Sequence, residues 1–201
     1  MGKKNKKQKK AKNSSNGKLE KKLRKLEEEI QSARRKMIKL HSKQARMDVQ
    51  DYVFKDKNGN DVKLSETFGD KENLVLIHNM GKFCSYCTLW ADGFNGVTYF
   101  VETKAAFALV SPDPPDVQKQ FAEERGWKFN MYSAYDSTFI SDMGYKTETG
   151  SYWPGVSVFH KDGDGNITRV AKDYFGPGDF YSSPWHFFDL LPKNGKVESE
   201  D

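Results

Sequence analysis

The apolar residues of this chain follow one period up to residue 44 and another from residue 48 onward. Leu19, Leu23, Leu26, Ile30, Ala33, Met37 and Leu40 alternate at spacings of four and three, with no glycine or proline between residues 18 and 44. That is a heptad seam, and it predicts an amphipathic helix over 18–47, its last residues leading into the body. The seam suits either a second chain, giving a homodimer through residues 18–44, or the helix's own domain. Residues 1–17 are Lys, Asn, Gln, Ser and Gly with almost nothing apolar. They bury too little surface to offset the entropy of ordering and read as a disordered basic tail.

From residue 48 the apolar runs shorten. Tyr52-Val53-Phe54, a turn at Lys57-Asn58-Gly59-Asn60 and a return over Asp61 to Leu64 read as a hairpin. Leu74 to Ile77 and Phe107 to Val110 are short continuous apolar runs, as buried parallel strands are. Between them a helix is expected from about Cys84 toward Lys104, weakened by Gly93 and Gly96. Asp116 to Arg125 reads as a helix ended by Gly126, and Lys128 to Tyr132 as a short edge strand. A helical turn at Phe139 to Met143 precedes a strand over Gly155 to Lys161, a turn over Asp162 to Asn166 and a returning strand over Ile167 to Lys172. A last helix over 181–191 carries Trp185, Phe187, Phe188, Leu190 and Leu191, read as core. Alternation of strand and helix implies an α/β domain over 48–195, a central mixed sheet with helices on its faces. Residues 196–201 form a short acidic tail.

Charge sharpens the division. Residues 1–50 hold 18 basic against 5 acidic side chains, +13, and the other 151 hold 15 against 23, −8. The arm could therefore touch nucleic acid or an anionic surface by charge alone, or simply keep the protein soluble. No apolar run is long enough to cross a membrane, and no apolar stretch follows the charged N-terminus as in a secretory signal. A cytoplasmic location is expected.

The chain has two cysteines, both in Cys84-Ser85-Tyr86-Cys87. Thiol–disulfide exchange needs one thiol ionised near neutral pH and a second within reach to resolve the mixed disulfide. A helix start favours the thiolate through its free N–H groups and dipole. The three-residue spacing puts the second sulfur on the same helix face. Cys84 is the expected nucleophile and Cys87 the resolving thiol. Lys82 could add positive charge. His78, on the preceding strand, is a candidate beneath the dithiol to take or balance a proton. Tyr86 and Trp153 are candidates for an apolar rim. Protein or small-molecule disulfides would be substrates, a thiol reductant would be the partner, and no cofactor is required.

The strand from Val75 running into a C-x-x-C that opens a helix resembles the thioredoxin superfamily. Trp153-Pro154-Gly155-Val156 is similar to the segment in which that superfamily carries a cis-proline facing the dithiol. The resemblance implies that Pro154 is cis and holds an extended substrate against the cysteines. Four stretches resemble more closely a bacterial thioredoxin-like family of predicted dithiol–disulfide oxidoreductases, filed as a domain of unknown function. They are Ile77 to Met80 with Asp92-Gly93-Phe94, Gly126-Trp127-Lys128-Phe129 to Ser133, Phe139 to Asp142, and Gly155 to Lys161.

Other chemistries remain. Structural zinc wants four N or S ligands, and here one cysteine pair faces scattered histidines at 41, 78, 160 and 186. A peroxiredoxin-like thiol peroxidase would place Thr three residues before its cysteine, where this chain has Gly81. Asp162 to Asn166 begins like a calcium loop, but Ile167 stands where Gly is required, so a turn is expected. A non-catalytic binding module that recruits a partner through its N-terminal helix and tail is the alternative outside enzymology.

Overall fold

A computed structural model describes residues 2–192, with side chains from Asn16 onward. The chain divides into two units, Met1–Gln44 and Ala45–Asp201. The acidic tail at 196–201 lies outside the described residues.

The first unit is one helix, α1 (Gly2–His41). It starts well before residue 18, so the stretch expected to be a structureless tail is helical here. Lys, Gln and Ala are good helix formers and no proline interrupts them, so backbone propensity continues the helix where apolar pattern gives no signal. Leu19, Leu23, Leu26, Ile30, Met37 and Leu40 are 39–66% exposed.

The second unit begins with β1 (Met47–Val49), β2 (Val53–Lys55) and β3 (Asp61–Lys63), followed by a 3-10 turn at Leu64–Phe68. Then come β4 (Asn73–His78), α2 (Ser85–Asn95), α3 (Thr98–Glu102), β5 (Ala106–Ser111), α4 (Pro115–Arg125) and β6 (Asn130–Ser133). The chain closes with α5 (Phe139–Asp142), β7 (Gly155–Lys161), β8 (Ile167–Tyr174) and α6 (Pro184–Phe188). The strands form one sheet in the order β1-β8-β7-β4-β5-β6-β2-β3. β4, β5 and β6 run parallel, and β7 lies antiparallel to β4.

Strand side chains alternate between faces, so the sheet supports two cores. Leu74, Leu76, Ala108, Val110, Tyr145 and Phe159 pack on one face with Phe54, Leu64 and Phe139. Ile77, Phe107, Leu109 and Val156 pack on the other with Trp90, Phe94, Phe129, Phe175 and both cysteines. β7 comes very close to its neighbours at Gly155: a Cβ there would collide with the Asp173 carbonyl and the Tyr145 ring.

Three differences from the sequence pattern have local causes. The helix expected to reach Lys104 ends at Asn95, with Gly96 at its C-cap, and resumes as α3. The last helix shrinks to α6, and its apolar residues are not core: Phe187, Phe188, Leu190 and Leu191 are exposed, and only Trp185 leans on the second core. β1 carries too few residues to show an alternating pattern, yet pairs antiparallel with β8.

Candidate active site

β4 is a central strand, and Asn79 turns the chain at its carboxyl end. The Asn79 N–H donates to the Val110 carbonyl (2.9 Å), and its side-chain oxygen accepts the Gly81 N–H (2.8 Å). Gly81 adopts φ +114°, and a Cβ there would sit 2.9 Å from Asp113 Oδ1. Both the backbone and the close carboxylate favour glycine at this position. Cys84 follows as the N-cap of α2.

The two sulfurs lie where their surroundings pull them apart chemically. Both thiols are free, and both are largely buried. The Cys87 N–H donates to Cys84 Sγ (3.2 Å), and the Met80 N–H points to Cys87 Sγ (3.5 Å). The Cys87 thiol also donates to Cys84, and with the N–H groups of Cys87 and Tyr86 it pulls the Cys84 thiol down to about 6 against the opposing effect of burial. The same thiol–thiol bond, then burial, then the charges of Cys84 and Asp113 push the Cys87 thiol far up. One sulfur is therefore a thiolate at neutral pH, and its neighbour keeps its proton.

Asp113 was not marked by any sequence pattern. The parallel pairing of β4 and β5 brings the loop after β5 beside the turn after β4. Asp113 Oδ2 accepts the Lys82 N–H (2.8 Å) and the Ser111 hydroxyl (3.2 Å), so the carboxylate is fixed above Gly81.

The other candidates divide. Lys82 contributes its main chain, and its side chain is exposed. Tyr86 lies on the dithiol face, its ring 5.5 Å from Trp185 and 6.3 Å from Trp90. The buried indole N–H groups of Trp90 and Trp185 have no hydrogen-bond partner. Pro154 is buried at the start of β7, whose Gly155 pairs with His78, so it stands at the same end of the sheet as the dithiol. Its peptide bond is trans, correcting the cis expectation. Trp153 and Phe175 donate their N–H groups to the Tyr145 and Pro154 carbonyls (2.9 and 3.0 Å), and this hydrogen-bonded path accommodates the trans form. Trp153 is exposed and meets Tyr174 rather than the dithiol, with ring centroids 6.4 Å apart.

His78 does not lie beneath the sulfurs. It shares the face of Leu74 and Leu76, while Ile77 faces the cysteines. Its ring stacks on Tyr145 (3.7 Å) and Phe139 (5.6 Å), and Nε2 bonds Ser157 Oγ (2.9 Å). Burial, with Arg169 and Lys172 nearby, holds it well below the ordinary histidine value, so it is neutral.

Asp162 accepts the N–H groups of Asp164 and Asn166, forming the turn expected there. Among the described residues no three His, Cys, Asp or Glu side chains converge as a metal site. No described helix is long and apolar enough to cross a membrane.

Solved structures similar to this chain include peroxiredoxins. Peroxidoxin BcpB from Mycobacterium tuberculosis is 24% identical with a TM-score of 0.52, over 64% of this chain and 83% of that one. A peroxiredoxin Q mutant from Xanthomonas campestris is 15% identical with a TM-score of 0.51, over 69% and 90%. The mitochondrial 2-Cys peroxiredoxin from Plasmodium falciparum is 15% identical with a TM-score of 0.52, over 71% and 90%. No curated protein is similar in sequence. The fold is thioredoxin-like, a mixed sheet flanked by helices, as the arrangement around Cys84 implied. Residues 4–200 match the family described as "Bacterial protein of unknown function" (DUF899), and the chain belongs to that family.

Proposed function

We propose that this protein is a thiol–disulfide oxidoreductase, with Cys84 as the attacking thiolate and Cys87 as the resolving thiol. The observation that carries this reading is the position of Cys84 as the N-cap of α2, where its sulfur accepts the Cys87 N–H (3.2 Å) and both thiols are free. Cys84 attacks one sulfur of a substrate disulfide, the S–S bond breaks, and the leaving thiolate takes a proton from solvent. The mixed disulfide removes both the charge and the acceptor that held the Cys87 proton. Cys87 then ionises, attacks Cys84 Sγ and expels the second substrate thiolate. Two electrons have passed to the substrate, and a thiol reductant must return them by exchange with the Cys84–Cys87 disulfide. Pro154 and Tyr86 would flank the incoming chain.

The decisive experiment is a trap. Cys87→Ser should accumulate a mixed disulfide through Cys84 with the disulfides of oxidised insulin or of a peptide, while Cys84→Ser should accumulate none. Equal capture by both variants, or by neither, would sink the reading.

A second reading rests on the low exposure of Cys84, 7%, which admits a small oxidant more readily than a bulky one. The thiolate would attack the O–O bond of a peroxide, giving Cys84 sulfenic acid and an alcohol or water. Cys87 would then condense with it, releasing water and forming the same disulfide. Turnover of hydrogen peroxide with dithiothreitol, faster than insulin reduction at equal enzyme, would favour this reading.

A further inference from the structure

The seam of α1 carries a charge order that names its partner. We infer that residues 19–44 of α1 and the turn after it pair with the same residues of a second copy of this chain, as an antiparallel two-stranded coiled coil. This inference is independent of the dithiol chemistry.

The seam residues are exposed along their whole length, including Leu19, Leu23, Leu26, Ile30, Met37 and Leu40. Leu23, Ile30 and Met37 occupy a positions, and Leu19, Leu26, Ala33 and Leu40 occupy d positions. Laid antiparallel, the layers become Leu23 with Leu40, Leu26 with Met37, and Ile30 with Ala33, each repeated by the two-fold axis. The smallest seam residue then faces a branched one. A parallel pair would set Ala33 against Ala33 and leave a gap at that layer.

The flanking charges suit the same arrangement. Glu27, Glu28 and Glu29 precede the centre of the seam, and Arg34, Arg35 and Lys36 follow it. Antiparallel pairing sets the acidic triplet of one chain opposite the basic triplet of the other, twice. At the flanking positions Glu27 meets Arg34 and Glu29 meets Lys36. Lys22 opposite Lys43 is the one unfavourable flank. In a parallel pair, by contrast, the Lys-rich segments 1–17 of both chains would lie side by side, concentrating like charge at one end. Self-complementarity of this kind is what an isologous interface requires.

Sedimentation of the full chain tests the inference. A concentration-dependent dimer is expected in the micromolar range, weakening as salt rises. Reversing the acidic triplet (Glu27→Lys, Glu28→Lys, Glu29→Lys) should weaken it by about tenfold or more. Adding Arg34→Glu, Arg35→Glu and Lys36→Glu to the same chain should restore it. For orientation, a spin label at Lys21→Cys in a Cys84→Ser, Cys87→Ser background should report a pair separated by about 30 Å, because Lys21 then lies opposite Ser42. A monomer at all concentrations, a dimer indifferent to the reversal, or labels within about 20 Å, as a parallel pair gives, would each overturn it. Circular dichroism of the variants keeps loss of helix distinct from loss of pairing.

Discussion

At the scale of single residues, the proton between Cys84 and Cys87 governs the site, since one bond lowers the first thiol and raises the second. Thiolate fraction rises as pH climbs through the thiol's value, so alkylation of Cys84 should reach half its maximal rate near about 6. Cys87→Ala removes the donor and should move that midpoint upward, toward the ordinary 9.0, as read by iodoacetamide kinetics against pH. Asp113→Asn removes a charge that keeps Cys87 protonated. Cys87 should then ionise more readily, and the mixed disulfide should resolve faster in a stopped-flow measurement; an unchanged rate would exclude Asp113 from the site. His78 acts on stability instead. Its folded value lies well below the ordinary 6.5, so below that pH the unfolded chain binds a proton that the folded chain refuses. Stability should therefore fall with pH from about 6.5 downward, by up to about 1.4 kcal/mol per pH unit from this group. Urea titrations of the parent and His78→Gln should differ by that slope. The dithiol was legible because its chemistry is local: two cysteines, three residues apart, at a helix start. The face of His78 was not, because a strand apolar on both sides carries no alternation to read. Asp113 was hidden because only strand pairing brings it to the cysteines.

Among elements, β7 carries much of the arrangement, for it pairs with β4 on one side and β8 on the other and sets Pro154 at the dithiol end. The strand was legible to its end residues, Gly155–Lys161, from an apolar run bounded by a turn. What the pattern did not reveal is why it begins with glycine. Gly155 has no side chain because the Asp173 backbone and the Tyr145 ring occupy that space, and the Tyr145 hydroxyl bonds the Val156 carbonyl (2.7 Å). Gly155→Ala should force the two strands and the ring apart, costing about 1–3 kcal/mol in urea unfolding. Gly163→Ala, in a turn with open space around it, serves as the control and should cost far less. The helices were less legible than the strands. The break between α2 and α3 follows from Gly93 and Gly96, which the sequence marks as weak points without saying which one ends the helix. The shortness of α6 reflects exposure of its aromatic residues, and composition alone cannot distinguish an aromatic helix that packs from one that does not.

For the molecule as a whole, the division falls at Gln44, where the heptad pattern of the apolar residues stops, and the excess of positive charge lies within the first 50 residues. The conformation of the first 17 residues was not legible, since hydrophobic patterning is silent on a polar stretch that helical propensity can still order. The consequence for stability follows from where the cores draw their residues. Every residue of both buried cores, and each partly buried residue packed against them, comes from the unit beginning at Ala45. β1, the first strand of the sheet, starts at Met47 and pairs with β8, so the cut must fall before it. A chain beginning at Ala45 should therefore fold, keep the pH midpoint of Cys84, and melt within about 4 °C of the full protein at equal concentration. It should also sediment as a monomer, having lost the seam. Aggregation of the shortened chain, or a drop in Tm beyond about 10 °C, would mean that the arm contributes to the fold itself. Retention of a dimer by the shortened chain would instead move self-association from the helix to the body.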